Sequence, residues 1–173
     1  MTALGIEPSK YFLKVAKDSG IPLISPEELD PAELFDAVYL TDVIEHVSEP
    51  LSFVKFYAEH LRSGGVMFVT TPNVSSPVAK ILGKRWWHYR IAHIGYFNKK
   101  TLNALFESAG LELVKYLPVR WYFSMDYILE RLSSYLPILK GKHFPRGFGN
   151  VIIPVNFGDS ILAVYKKSFG GDE

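Results

Sequence analysis

The stretch Phe35-Asp36-Ala37-Val38-Tyr39-Leu40-Thr41-Asp42-Val43-Ile44-Glu45-His46-Val47-Ser48-Glu49-Pro50 decides the fold. Ala37 to Leu40 is an apolar run of strand-forming residues and reads as a strand buried on both faces. The chain then turns polar and acidic where that strand should end. In an open parallel sheet the ligand crevice lies outside the carboxyl ends of the strands, which puts Thr41, Asp42, Glu45 and His46 at its mouth. Pro50 opens a helical pattern, Leu51, Val54, Tyr57, Ala58 and Leu61, with apolar positions three and four apart. Ser63-Gly64-Gly65 is read as its end, and a second apolar strand, Val66 to Thr71, follows at once. Strand, helix and strand in so short a span form a βαβ unit, the signature of an α/β protein with a parallel sheet.

Upstream, Ala3-Leu4-Gly5-Ile6-Glu7 is a short apolar run ending in an acid, followed by Pro8, Ser9 and a helical pattern, Tyr11, Phe12, Val15 and Ala16, that stops at Gly20. A carboxylate at a strand end suits the hydroxyl pair of a ribose, because its lone pairs accept from both. The same Glu7 serves equally as a charge favouring the following helix amino terminus. Ile21 to Ile24 makes a third short strand, and Ser25, Pro26 and Glu28 fit a helix-capping box.

Downstream, Pro72 in Thr71-Pro72-Asn73 ends the second strand's ladder. Lys84-Arg85-Trp86-Trp87-His88-Tyr89-Arg90 interleaves basic and aromatic residues, a pattern that stacks on bases or packs its tryptophans onto the domain. His93 lies just before a capped helix, Thr101 to Ala109, that Gly110 closes. Leu111 to Leu117 reads as the next strand and Ile161 to Lys166 as the last. Residues 118–160 between them form a long excursion, rich in aromatics from Trp121 to Tyr127 and then in the cations Lys140, Lys142, His143 and Arg146. Such an insertion is a cap over a substrate or a helix laid across the sheet.

At 173 residues, 48% hydrophobic and 21% charged, the chain suits a single globular domain rather than a disordered segment. There is no secretory signal pattern and no apolar run long enough to span a bilayer, so the expected location is the cytoplasm. The absence of cysteine excludes disulfides and thiolate chemistry. The net charge of +1 hides an asymmetry. No Asp or Glu occurs between Leu61 and Phe106, where Arg62, Lys80, Lys84, Arg85, Arg90, Lys99 and Lys100 offer a basic surface to an anionic ligand.

Three pieces taken together, FDAVYLTDVIEHVSEP, LRSGGVMFVTTPN and HIGYFNKKTLNALFESAGLELV, resemble the core of class I S-adenosylmethionine-dependent methyltransferases, in the branch with an Asp-x-x-Glu-His-Val elbow. The likeness runs from about Leu4 to Lys166. It implies a Rossmann-like α/β fold with a mostly parallel sheet and an antiparallel last strand, one domain over 1–173 with 118–160 as a cap. It implies S-adenosylmethionine as cofactor, bound by Glu7, Pro8, Ser9, Leu40, Thr41 and Asp42. Asp42 would border the donor methyl, with His46 and His93 facing the acceptor as catalytic residues. The chain departs from the pattern in one respect: no Gly-x-Gly-x-Gly loop precedes Glu7. The expectation is therefore a truncated domain lacking the usual first strand and helix, with weakened activity.

The implied acceptor is a small molecule or, from the likeness of the His93 and Gly158-Asp159-Ser160 segments to enzymes of surface-polysaccharide synthesis, a glycan. Two other readings stay open. One is a metal-assisted RNA 2′-O-methyltransferase, with Asp42, Glu45, His46 and His93 as ligands; nucleic acid is otherwise not the favoured partner. The other is a non-catalytic binding module or inactive remnant. Peripheral membrane contact through aromatics and cations, and a homodimer, complete the expected partners.

Overall fold

The computed structural model describes residues 2–142, Pro145 and 147–168. The chain divides into two compact units, Met1–Phe35 and Asp36–Glu173. In the first, β1 (Gly5–Ile6) pairs in parallel with β2 (Leu23–Ile24) across α1 (Lys10–Asp18). Ser9 caps α1, its hydroxyl accepting from Phe12 N. The Ser25 and Glu28 cap is present as read, with the Glu28 carboxylate accepting from Ser25 N at 2.8 Å. Helix α1 forms where its spacing predicts, yet Tyr11, Phe12 and Val15 are exposed and only Ala16 is buried.

In the second unit the elements run β3 (Phe35–Thr41), α2 (Pro50–Glu59), β4 (Leu61–Pro72), α3 (Pro77–Leu82), α4 (Lys99–Ser108), β5 (Leu111–Leu117), β6 (Trp121–Ser124), α5 (Met125–Ser133), β7 (Ile152–Val155) and β8 (Ser160–Lys167). The main sheet has the order β3-β4-β8-β5, and β8 is antiparallel to both neighbours, so β4 and β5 share a direction. This is the Rossmann-like α/β arrangement with an antiparallel last strand that the sequence implies. A separate two-stranded sheet, β6 with β7 antiparallel, lies within residues 118–160, with α5 between its strands. Of the cationic run assigned there, Lys140 and Lys142 are described, while His143 and Arg146 lie outside the described residues.

The core sits under β4 and β8. Val54, Met67, Val69, Leu102, Phe106, Ala163 and Tyr165 are fully buried, with Phe106 and Tyr165 stacked at 4.2 Å. Helix α4 is fixed by a reciprocal cap: Asn98 Oδ1 accepts from Thr101 N and Thr101 Oγ1 from Asn98 N, both at 3.0 Å.

Two readings need correction. Strand β3 is not buried on both faces: only Leu40 is fully buried, and Tyr39 is 63% exposed, stacked on Phe68. The reason is its place at the edge of the four-stranded sheet, where half of its surroundings are lost. Ser63-Gly64-Gly65 does not end the helix either. Helix α2 stops at Glu59 and the strand already begins at Leu61, which is 1% exposed. The glycines serve the strand: a Cβ on Gly65 would stand 2.9 Å from the Arg62 carbonyl oxygen and 3.3 Å from that of Asp36. An alanine there would force neighbouring backbone apart.

Candidate active site

The polar elbow after β3 is built by local rules. Asp42 N donates to Thr70 O at 3.0 Å, so the pairing of β3 with β4 reaches one residue past Thr41. There the backbone turns over, with Asp42 at φ 51, a left-handed conformation that Asp tolerates better than branched residues. A single 3-10 turn, Ile44–His46, follows, with Ile44 fully buried as its anchor. That anchor sends the neighbouring Glu45 inward as well, to 1% exposure.

Glu45 is held at both ends. Its Oε2 accepts from the buried Thr71 hydroxyl at 3.0 Å, and its backbone carbonyl accepts from Ile94 N and Gly95 N, both at 2.9 Å. Gly95 permits that approach: a Cβ there would lie 3.2 Å from the Phe97 ring and 3.7 Å from Glu45 Cα. The elbow and the segment 91–97 are thereby locked together, bringing His93 beside His46. Their rings meet edge to face at 4.7 Å, and His46 Nδ1 bonds Ala92 O at 2.8 Å. Glu45 Oε1 and His93 Nδ1 are buried without a hydrogen-bond partner. One ligand atom each from Glu45, His46 and His93 lie within 4.8 Å of one another, a spacing that suits a metal ion.

Burial sets the electrostatics. It raises the Glu45 carboxyl above the usual range, with the Asp42 charge adding and the Thr71 hydroxyl opposing. It raises Asp42 too, against the pull of His88, His46 and Arg90. It lowers His93, helped by His46 and His88, and so keeps that imidazole neutral near pH 7.

Glu45, His46 and His93 are thus brought together, while Asp42, which the sequence reading grouped with them, is outside the metal-spaced set. Leu40 is buried in β3, Thr41 is exposed at its end. Glu7 follows β1 in the amino-terminal unit, where its Oε1 accepts from Ser9 N at 2.8 Å and its own N donates to Ile24 O. Pro8 and Ser9 form the turn into α1.

Sequence reasoning missed two residues here. Asp159, 2% exposed, accepts from Trp86 Nε1 at 3.3 Å and lies 3.4 Å from His88 Nε2. The His88 ring lies against His93 at 5.9 Å and 21°. The signal for His88 was its place in the basic and aromatic run, where it was one letter among several; for Asp159 nothing marked burial. Trp86 itself is 1% exposed, so within that run it packs onto the domain and is not offered to a ligand. Next to Asp159, Asn73, Gly158 and Ser160 line a cleft of about 200 Å³ with Lys99, Tyr116 and Asn156; Glu45, His46 and His93 are not part of it.

A family model described as a methyltransferase domain matches residues 2–116. Over 108 residues the chain is 49% identical to a ubiquinone biosynthesis O-methyltransferase of Parvibaculum lavamentivorans, a match covering 54% of this chain and 43% of that protein. A ubiquinone biosynthesis O-methyltransferase of Cereibacter sphaeroides is 31% identical over 128 residues, covering 64% and 52%. The chain therefore spans about half, or less, of the length of the curated relatives it matches. Among solved structures, a SAM-dependent methyltransferase from Thermotoga maritima superposes with a TM-score of 0.60 at 18% identity, over 95% of this chain and 72% of that one, a likeness of fold. Among the described residues no helix is long and apolar enough to cross a membrane.

Proposed function

Since this chain belongs to the methyltransferase-domain family, whose methyl donor is S-adenosylmethionine, we propose that it transfers a methyl group from that donor to an oxygen of a small-molecule acceptor. The observation that carries the reading is the buried Glu45 set against His46 and the neutral His93, beside Asp42 at the carboxyl end of β3. The acceptor oxygen forms its bond to the methyl carbon as the carbon–sulfur bond breaks; the sulfonium becomes a thioether and the hydroxyl proton passes to His93 or to water. Most of the catalysis is positioning, with proton acceptance adding to it where the hydroxyl is weakly acidic. Oxygen and a small acceptor are favoured by the likeness to the ubiquinone biosynthesis O-methyltransferases. Asp42 borders the donor methyl, Leu40 and Thr41 the adenosine side. In the amino-terminal unit, Glu7 with Pro8 and Ser9 offers a carboxylate whose lone pairs suit the hydroxyl pair of a ribose. The acid-free stretch from Leu61 to Phe106 suits an acceptor bearing a negative charge, a glycan phosphate included.

Calorimetric titration with S-adenosylhomocysteine tests the cofactor half directly. Saturable binding is expected, weakened ~10-fold, or about 1.4 kcal/mol, by Glu7→Ala. A folded chain that takes up no ligand at ~1 mM, where a binding free energy of only about 4 kcal/mol would register, overturns the enzyme reading and leaves a non-catalytic module.

A second reading is favoured by the free lone pairs. Glu45 Oε1 and His93 Nδ1 lack partners, and the bond from His46 Nδ1 to Ala92 O leaves Nε2 available and fixes its ring, as second-shell carbonyls do for metal-bound histidines. This donor set, one carboxylate and two imidazoles, suits a divalent cation that would polarise the acceptor hydroxyl. Turnover should then vanish in EDTA and return with Mg²⁺, Mn²⁺ or Zn²⁺. Turnover indifferent to EDTA leaves the two histidines facing the acceptor unaided.

A further inference from the structure

Asp159 immediately precedes β8, and its carboxylate is committed to two positions of one loop. Oδ2 accepts from Trp86 Nε1 at 3.3 Å and stands 3.4 Å from His88 Nε2. The residue is fixed from behind, since its backbone carbonyl accepts from Asn73 N at 2.7 Å. At 2% exposure this is a nearly desolvated anion, and such groups are kept only where they are paired. Its partner His88 points the connection onward: the His88 ring lies against His93 at 5.9 Å. Two links therefore lead from a buried carboxylate at the start of β8 to the imidazole of His93.

A neutral imidazole carries one N–H and one lone pair, and a carboxylate facing one nitrogen selects the tautomer with the proton there. We infer that Asp159 is a positioning residue of the site: it fixes His88 as the Nε2–H tautomer and, through the contact of His88 with His93, holds the His93 imidazole in place beside Glu45 and His46. His88 Nδ1 then becomes a further lone pair in the site, able to accept from an O–H or N–H of a bound ligand. The structural content stands independently; its effect on turnover rests on the methyl-transfer reading above.

Long-range ¹H–¹⁵N spectra of the histidine-labelled chain, recorded near pH 8 where an ordinary histidine is neutral, test it without an acceptor. The wild-type protein should show His88 protonated on Nε2 alone. In Asp159→Asn the His88 signals should move toward a tautomer mixture, and the His93 ring signals should shift although Asp159 does not touch His93. Trp86→Phe, which keeps the carboxylate, should leave the His88 tautomer unchanged. His88→Gln, at a partly exposed position, should move the His93 signals without disturbing the fold, and it decides the matter if Asp159→Asn fails to fold. A proton on Nδ1 of wild-type His88, or His93 signals unmoved in His88→Gln, overturns the inference. On whichever acceptor turns over, Asp159→Asn and His88→Gln should lower kcat ~10-fold while KM for S-adenosylmethionine stays within about twofold. A variant that loses only thermal stability and keeps kcat assigns Asp159 to loop packing instead.

Discussion

Glu45→Gln is expected to raise the unfolding temperature near neutral pH while cutting methyl transfer ~10–100-fold, the size of effect typical of a lost supporting ligand or orienting group. Glu45 is 1% exposed, one of its oxygens has no partner, and burial holds its carboxyl above the usual carboxylate range. Between the unfolded and the folded value the native state binds more protons than the unfolded one, so stability falls as pH rises through that window and stays low above it. Glutamine carries no charge and escapes the penalty. Its advantage over the wild type should be small near pH 4, grow as pH rises through the window, and level off above the folded value. Its own amide leaves an unpaired N–H, so the plateau should be on the order of 1 kcal/mol. That corresponds to about 2–4 °C for a chain of this size. Calorimetric melts of both proteins in EDTA across this range check it; EDTA matters because a bound cation would stabilise the ionised carboxylate. A difference in melting temperature that is flat or shrinks with pH would show that Glu45 is not a destabilising buried charge.

Such a trade between stability and function explains which parts of the site were legible in the sequence. The elbow residues Asp42, Glu45 and His46 follow an apolar strand and violate its pattern at once, and polar residues at a strand's carboxyl end are conspicuous for that reason. His93 stood out by its place before a strongly capped helix. Strand β5 and the antiparallel β8 were readable because each alternates or runs apolar over a clear span. What failed depended on neighbours that are distant in sequence. Ala37 to Leu40 has the composition of a central strand, yet edge position leaves Tyr39 exposed, and edge position is decided by pairing order. Gly64 and Gly65 look like a stop until the Asp36 carbonyl is placed against Gly65. The association of Asp159 with Trp86 and His88 spans more than 70 residues, and no local pattern encodes it.

Trp86→Ala should be the most destabilising single change in the carboxyl-terminal unit's loops. The indole is 1% exposed, meets His88 at 5.0 Å and Tyr89 at 5.2 Å edge to face, and gives its N–H to Asp159. Removing a buried indole costs ~3–5 kcal/mol through lost transfer energy and the cavity left behind. At about 2–4 °C per kcal/mol the melting temperature should fall by roughly 10 °C. Trp86→Phe keeps most of the aromatic surface and should lose about a third of that, from the missing hydrogen bond and the smaller ring. The ordering Ala well below Phe, Phe modestly below wild type, is what a packing role requires. A tryptophan displayed for stacking on a ligand gives the opposite result: both variants melt near the wild-type temperature, and ligand affinity alone suffers. Because the same loop carries His88 and His93, the packing role also predicts that methyl transfer falls with Trp86→Ala even where the protein remains folded, since the rings packed beside His46 lose the anchor that fixes their backbone.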